Sequence, residues 1–265
     1  MFNNEPVFRF IFFLSAFLAL ALLEWRAPRR ILTESKSSRW LMNISIVALD
    51  TIFVRLTLPI LPIGMAVLAQ EQGWGLLNSY DLPRGIAVVL GLVILDIFIY
   101  FQHVMLHFVP VFWRLHMIHH TDLDFDITTG VRFHPLEIIL STGIKIAVVY
   151  IFGIPALGVL LYEAILNRTS MLSHSNIRLP LEIDHWLRFM AVTPDMQRIH
   201  HSVIIKERNS NFSANLSWWD RLFGTYRAHP DKGQEGMTIG LANFRDFKSQ
   251  NLWWLLGLPF TSKAK

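Results

Sequence analysis

Apolar residues gather in four long blocks separated by polar stretches, a pattern of helices solvated by lipid. The first block runs from Phe8 to Leu23. Its flank, Leu22-Leu23-Glu24-Trp25-Arg26, makes a poor signal-peptide cleavage site, so a retained helix is predicted. The second block, Leu41 to Ala69, contains Pro59, Pro62 and Gly64, which predict a kinked or broken helix. Asp50 and Arg55 within it are too costly to face lipid and are expected to face the bundle interior or an interface. The third block is Gly85 to Phe101. The fourth, Leu136 to Leu166, is long for one crossing of about 20 residues and short for two. Gly153-Ile154-Pro155 near its middle points to a helical hairpin or a pair of half-spanning helices. The expected class is all-α: an integral membrane helical bundle of about four spans or hairpins under a cytosolic helical cap. The chain reads as one domain over 1–265, with N-terminal transmembrane helices in 8–101 and the cap in Asn167–Phe247. An interfacial tail over 248–265 carries Trp253 and Trp254.

Composition agrees with lipid as the solvent. Of 265 residues, 52% are hydrophobic and 17% charged, against about 25% charged in soluble domains. Mean hydropathy is +0.38 and the pI is about 9.5. The basic residues are dispersed or sit beside apolar runs, which fits a membrane surface and not nucleic acid. The first inter-span connection holds Arg26, Arg29, Arg30, Lys36 and Arg39, whereas the second holds Glu71, Asp81 and Arg84. The positive-inside rule therefore puts the first connection in the cytoplasm. In a multi-pass chain so oriented, every histidine falls on the cytoplasmic face.

With no cysteine in the chain, any metal must be held by His, Asp or Glu. His103 and His107 lie one helical turn apart at the end of the third block. Asp96 and Tyr100 precede them on roughly the same face, where a carboxylate can accept the second ring N–H of a ligating histidine. His116, His119 and His120 form a second cluster at i, i+3, i+4. A third, Gln197 to His201, ends in His200 and His201. A lone His-x-x-x-His pair is common without a metal, but three clusters on one membrane face lack a packing explanation. Their number exceeds the four ligands of a structural zinc site and suits two metals. Zinc, copper, iron and nickel all accept imidazole. No HExxH is present, and iron is preferred because it performs redox chemistry on inert lipid.

In these residues the sequence resembles the fatty acid hydroxylase / sterol desaturase superfamily of membrane di-iron enzymes. The matching pieces run from Asp96 to about Tyr226, a histidine-rich catalytic core over 96–226. They include His103–His107, Trp113-Arg114-Leu115-His116 with His119-His120, and Arg132-Phe133-His134-Pro135-Leu136-Glu137. They continue through His174-Ser175-Asn176, Arg198-Ile199-His200-His201-Ser202, Asn211-Phe212 and Trp218-Trp219-Asp220-Arg221-Leu222-Phe223-Gly224-Thr225-Tyr226.

The resemblance implies O2-dependent hydroxylation or desaturation of a fatty acyl, sterol or related lipid. It implies two iron ions, with zinc as a substitute on purification. It also implies electrons from a separate cytochrome b5-, ferredoxin- or reductase-like protein; no GxGxxG cofactor motif is present. The catalytic residues it implies are His103, His107, His116, His119, His120, His200 and His201. Gln197 stands where the family has a further histidine, so it either coordinates weakly, is replaced by another residue, or leaves an open position. His174 is the preferred additional ligand. His134 either ligates or caps the helix start. Asn176 either orients a ligand or ends a turn, and Asp220 stands behind the ligands. Trp218–Gly224 reads as a packing and turn motif, His185 and His229 as surface residues, and Asp184 as a solvated partner of His185. Rival functions are a zinc-dependent lipid hydrolase or isomerase and a non-enzymatic metal-binding or transport protein. A transporter places its ligands at mid-membrane, unlike these clusters at span ends.

Overall fold

The computed structural model describes residues 5–245 and 251–261, and among them every regular element is helical. Helix α1 spans Glu5–Arg26 and α2 spans Lys36–Thr57. The chain then breaks at Leu58–Leu61, and α3 covers Pro62–Gln72 with a proline in its first turn. This is the break that Pro59 and Pro62 predict, since neither ring can donate a helical hydrogen bond. Helix α4 is Arg84–Phe108, and the short α5, Pro110–His120, follows after Val109 alone. Helices α6 (Pro135–Phe152) and α7 (Ala156–Ser173) form the pair expected around Gly153-Ile154-Pro155. Gly153 ends α6 in the left-handed region at φ 65°.

The stretch Lys36–Ser79, α4 and α6 are long and apolar enough to cross a membrane. Helix α1 packs on α7 and turns Phe10, Leu14, Leu18 and Leu22 outward. Between α3, α4, α6 and α7 lies a dry core of Leu95, Ile99, Val148, Val149, Ile154 and Tyr162. Its far end is closed by two glycines in contact: a Cβ on Gly75 would lie 2.1 Å from the Gly153 nitrogen.

Above the bundle the chain makes short helices: α8 (Leu181–Leu187), α9 (Pro194–His200), α10 (Ile205–Arg208), α11 (Trp218–Leu222) and α12 (Gly233–Gly236). This region buries polar groups where the bundle buries apolar ones. Arg39, counted among the basic residues of the first connection, is wholly buried at the start of α2. Its guanidinium donates to both carboxylate oxygens of Asp122 at 2.8 Å and to Asp126 at 2.5 Å. Burial alone would raise the Asp122 carboxyl, but the paired Arg39 outweighs it and holds it at about 2. Two other basic residues of the first connection also contact the cap. Arg29 pairs with Asp195 and Glu235, and Arg30 donates to the Met237 carbonyl.

The remaining expectations divide. Asp50 is buried as expected, whereas Arg55 is exposed in the last turn of α2. His185 and His229 are exposed. Asp184 is not solvated: it is buried and pairs with Arg188 at 2.6 Å, four residues on in the chain. Of the tail expected at 248–265, residues 248–250 and 262–265 lie outside the described residues. Within the rest, α13 (Leu252–Gly257) exposes Trp253 and buries Leu255 against Met42, Ile46 and Met117.

Candidate metal centre

Short helices with fixed ends deliver the histidines. The last two turns of α4 carry His103 and His107, and the immediate restart at Pro110 folds α5 back so that His116, His119 and His120 face them. Thr193 caps α9, its hydroxyl accepting from the Met196 N–H, and the helix ends at His200 and His201. His174 terminates α7. Two groups of ligand atoms result, each within 4.8 Å: His103, His107, His116, His120 and His200, and His119, His120 and His201. His174 joins the second group through His119, and the Gln197 amide lies 3.4 Å from His174 Nε2.

Outer contacts fix the tautomers. His103 Nδ1 donates to the Phe212 carbonyl at 2.7 Å, His200 Nδ1 to the Ser210 carbonyl at 2.8 Å, and His116 Nδ1 to Glu137 Oε1 at 2.8 Å. Each therefore turns a bare Nε2 lone pair inward, and none of those three atoms has a hydrogen-bond partner. His119 and His174 give their Nδ1 protons to the carbonyls of Arg132 and Ser170. Their Nε2 atoms then face each other at 3.2 Å as two lone pairs, which cannot hydrogen-bond. His107 and His120 meet through Nε2 at the same distance. Nitrogens bound about 2.1 Å from one ion sit at such separations in neighbouring coordination positions. The inward lone pairs and their spacing fit a metal.

Charge points the same way. Burial pushes His116 and His174 down to about 3. Burial and neighbouring rings push His119, His120, His200 and His201 well below the ordinary imidazole range. All are neutral near pH 7, the form that ligates metal.

The remaining sequence-predicted residues act at one remove or elsewhere. Asp96 does not reach a histidine: it accepts from Asn215, Trp219, Tyr162 and the Leu216 N–H, tying the cap to α4 and α7. Tyr100 bonds Thr225. Asp220 accepts from the N–H groups of Phe212 and Ser213, and so braces the turn whose carbonyl holds His103. Asn176 bonds both the N–H and the carbonyl of Arg30, pinning the first connection to the end of α7. His134 caps α6 by accepting from the Leu136 N–H, and its Nε2 lies 3.3 Å from the Leu256 carbonyl.

Sequence reasoning gave no role to Glu137, Asn209 or Asn211. Glu137 stands in the first turn of α6, and nothing in the sequence shows that it faces His116. Asn209 reaches His107 Nδ1 through its side-chain oxygen at 3.3 Å. Asn211 adopts φ 55° and bonds the carbonyls of Met196 and Arg227, which aims Phe212 at His103.

A cavity of about 470 Å³ opens beside the centre and is walled in part by His103, His116, His119 and His174. With that geometry established, comparison with known proteins is direct. A fatty acid hydroxylase family model matches residues 88–225, which holds every histidine of the two groups together with His174 and Gln197. The chain belongs to the fatty acid hydroxylase family. Ornithine lipid hydroxylase OlsE of Rhizobium tropici is 28% identical over 186 residues, 69% of this chain and 53% of that protein. Alkylglycerol monooxygenase of Homo sapiens is 28% identical over 157 residues, 57% of this chain and 33% of that protein. Methylsterol monooxygenase 1 of Rattus norvegicus is 30% identical over 149 residues, 53% of this chain and 47% of that protein. The chain thus matches about half or less of the length of these family members. No solved structure matches it.

Proposed function

We propose that this protein is a membrane hydroxylase that uses O2 and two histidine-bound irons to oxidise a C–H bond of a lipid. The observation that carries this reading is the set of inward-facing imidazole lone pairs beside a cavity walled by long apolar helices. His103, His107, His116 and His200 would hold one ion, and His119, His174 and His201 with Gln197 the other. His120 belongs to both groups of ligand atoms. Iron, when bound, supplies O2 binding and the oxidising power to attack an inert carbon. Donation to Glu137, Phe212 O and Ser210 O keeps the rings in one tautomer and orientation. The buried cap excludes bulk water, and the cavity holds the lipid against the centre.

The four apolar blocks would make a multi-pass bundle with the metal centre on the cytoplasmic face. The first connection, with Arg29 and Arg30 bound to the cap, supports that side. Electrons would come from a separate carrier protein, and the relatives named hydroxylase or monooxygenase favour hydroxylation over desaturation.

The test uses the full chain purified in lipid. Metal analysis should find two irons per chain, and labelled O2 should appear as one added oxygen in an extracted lipid. Bound zinc with no oxygen consumption would end the reading in favour of a hydrolase or isomerase.

A further inference from the structure

The cavity beside the histidines runs between α2, α4, α6 and α7, and its wall is not uniformly apolar. Four lining side chains each carry a buried acceptor oxygen with no hydrogen-bond partner: Asp50 Oδ1, Gln102 Oε1, Glu137 Oε2 and, at the second histidine group, Gln197 Oε1. Gln102 uses its amide N–H on Ser141, and Glu137 uses its other oxygen on His116. What each has left over is an acceptor. Asp50 is 6% exposed, and no ion pair reaches it among the described residues. Of the cations in the same wall, Lys145 is paired with Glu163 at 3.5 Å and Arg55 is exposed. Buried acceptors without donors are unfavourable, and a buried carboxylate without a cation more so. Ionisable side chains at membrane depth beside a cavity mark a path for substrate.

We propose that this wall receives the polar head of the substrate and that the head bears a primary amine. An ammonium has only donors and no acceptor, which suits a wall whose unspent oxygens are all acceptors, one of them on a carboxylate without a cation. A hydroxyl has a single donor and would leave the other oxygens unspent. Glu137 belongs both to this set and, through His116, to the metal centre, so the head sits beside the centre. The inference rests on the lipid hydroxylase reading and names the substrate class for it.

The test measures equilibrium binding of radiolabelled tetradecylamine, its N-acetyl amide and tetradecanol to the metal-loaded full chain in nanodiscs kept free of O2. The amine should bind at least about tenfold tighter than either neutral probe, as a charge-assisted contact requires. Asp50→Asn should erase that preference and Asp50→Glu should keep most of it. Equal affinity of the three probes for the wild-type protein overturns the proposal whether or not the variants fold. O2 uptake by the iron-loaded protein separates the two readings. An amine preference without oxygen consumption keeps the amine site and removes the hydroxylase, and oxygen consumption without an amine preference does the reverse.

Discussion

The two histidine groups of the candidate metal centre are held with unequal firmness. In the first, His103, His107, His116 and His200 each commit Nδ1 to an outside acceptor: Phe212 O, the Asn209 side chain, Glu137 and Ser210 O. In the second, His119 and His174 are anchored in the same way. His201, however, has no partner for either ring nitrogen, and Gln197 contributes an amide with a free oxygen. Outer contacts orient ligands and raise their basicity. A group built beforehand needs little ordering when its ion arrives, whereas a loose one must order its ligands at that moment. The first group should therefore bind its ion tightly, and the second should exchange its own.

The largest effect should come from breaking the firm group. His200→Ala removes a ligand whose ring is held through Nδ1. It should lower iron content to one per chain or less and reduce oxygen uptake by more than the ~10–100-fold typical of an outer contact. Elemental analysis and an oxygen electrode read both quantities, and a variant that keeps two irons and normal uptake would show that His200 is no ligand. Glu137→Gln comes next. The amide oxygen can still accept from His116, but it lacks the carboxylate's charge, so a loss of ~10-fold, at the low end of that range, is expected. Unchanged metal affinity in a chelator titration would remove Glu137 from the centre.

How much of this was legible in the sequence depends on distance along the chain. The breaks at Pro59–Pro62 and Gly153–Pro155 and the pairing of His103 with His107 are local consequences of backbone chemistry and helical period. The cluster identities followed from ligand type and spacing. Long-range partners were not legible. Asp96 lies on the predicted face, yet its oxygens go to Asn215 and Trp219 because the cap folds down onto that point of α4. Arg39 reads only as one of the basic residues of the first connection because the acids that bury it, Asp122 and Asp126, stand more than eighty residues away. The acceptors that hold His103 and His200 are backbone carbonyls, which carry no residue signal at all.

The unequal firmness predicts two phases of metal release. A mild chelator at pH 7 should remove one iron quickly and the other slowly, as followed by absorbance of the chelate. A single phase for both ions would erase the distinction. Acid should act on both groups. In the metal-free protein, burial holds His116 and His174 near 3 in the folded chain, against about 6.5 for exposed imidazole. The unfolded chain therefore takes up protons that the folded core refuses. Stability is full above about pH 6.5 and declines as pH falls from there toward about 3. Thermal unfolding of the stripped protein across that window reads the slope, and a flat profile would mean the rings are already solvated.

The smallest effect concerns Gln197. Replacing it by histidine supplies the second group with an imidazole beside His174, where an amide now lies 3.4 Å away. The folded bundle should be unaffected, since the site is a short helix capped by Thr193 and the new ring faces a cavity. The fast phase of metal release should slow by about tenfold, the lower end of what a ligand-shell change is worth, while the slow phase stays where it was. Gln197→Ala should move the fast phase the other way. If both variants release metal as the wild type does, the amide is not in the coordination shell, and the looseness of the second group rests on His201 alone.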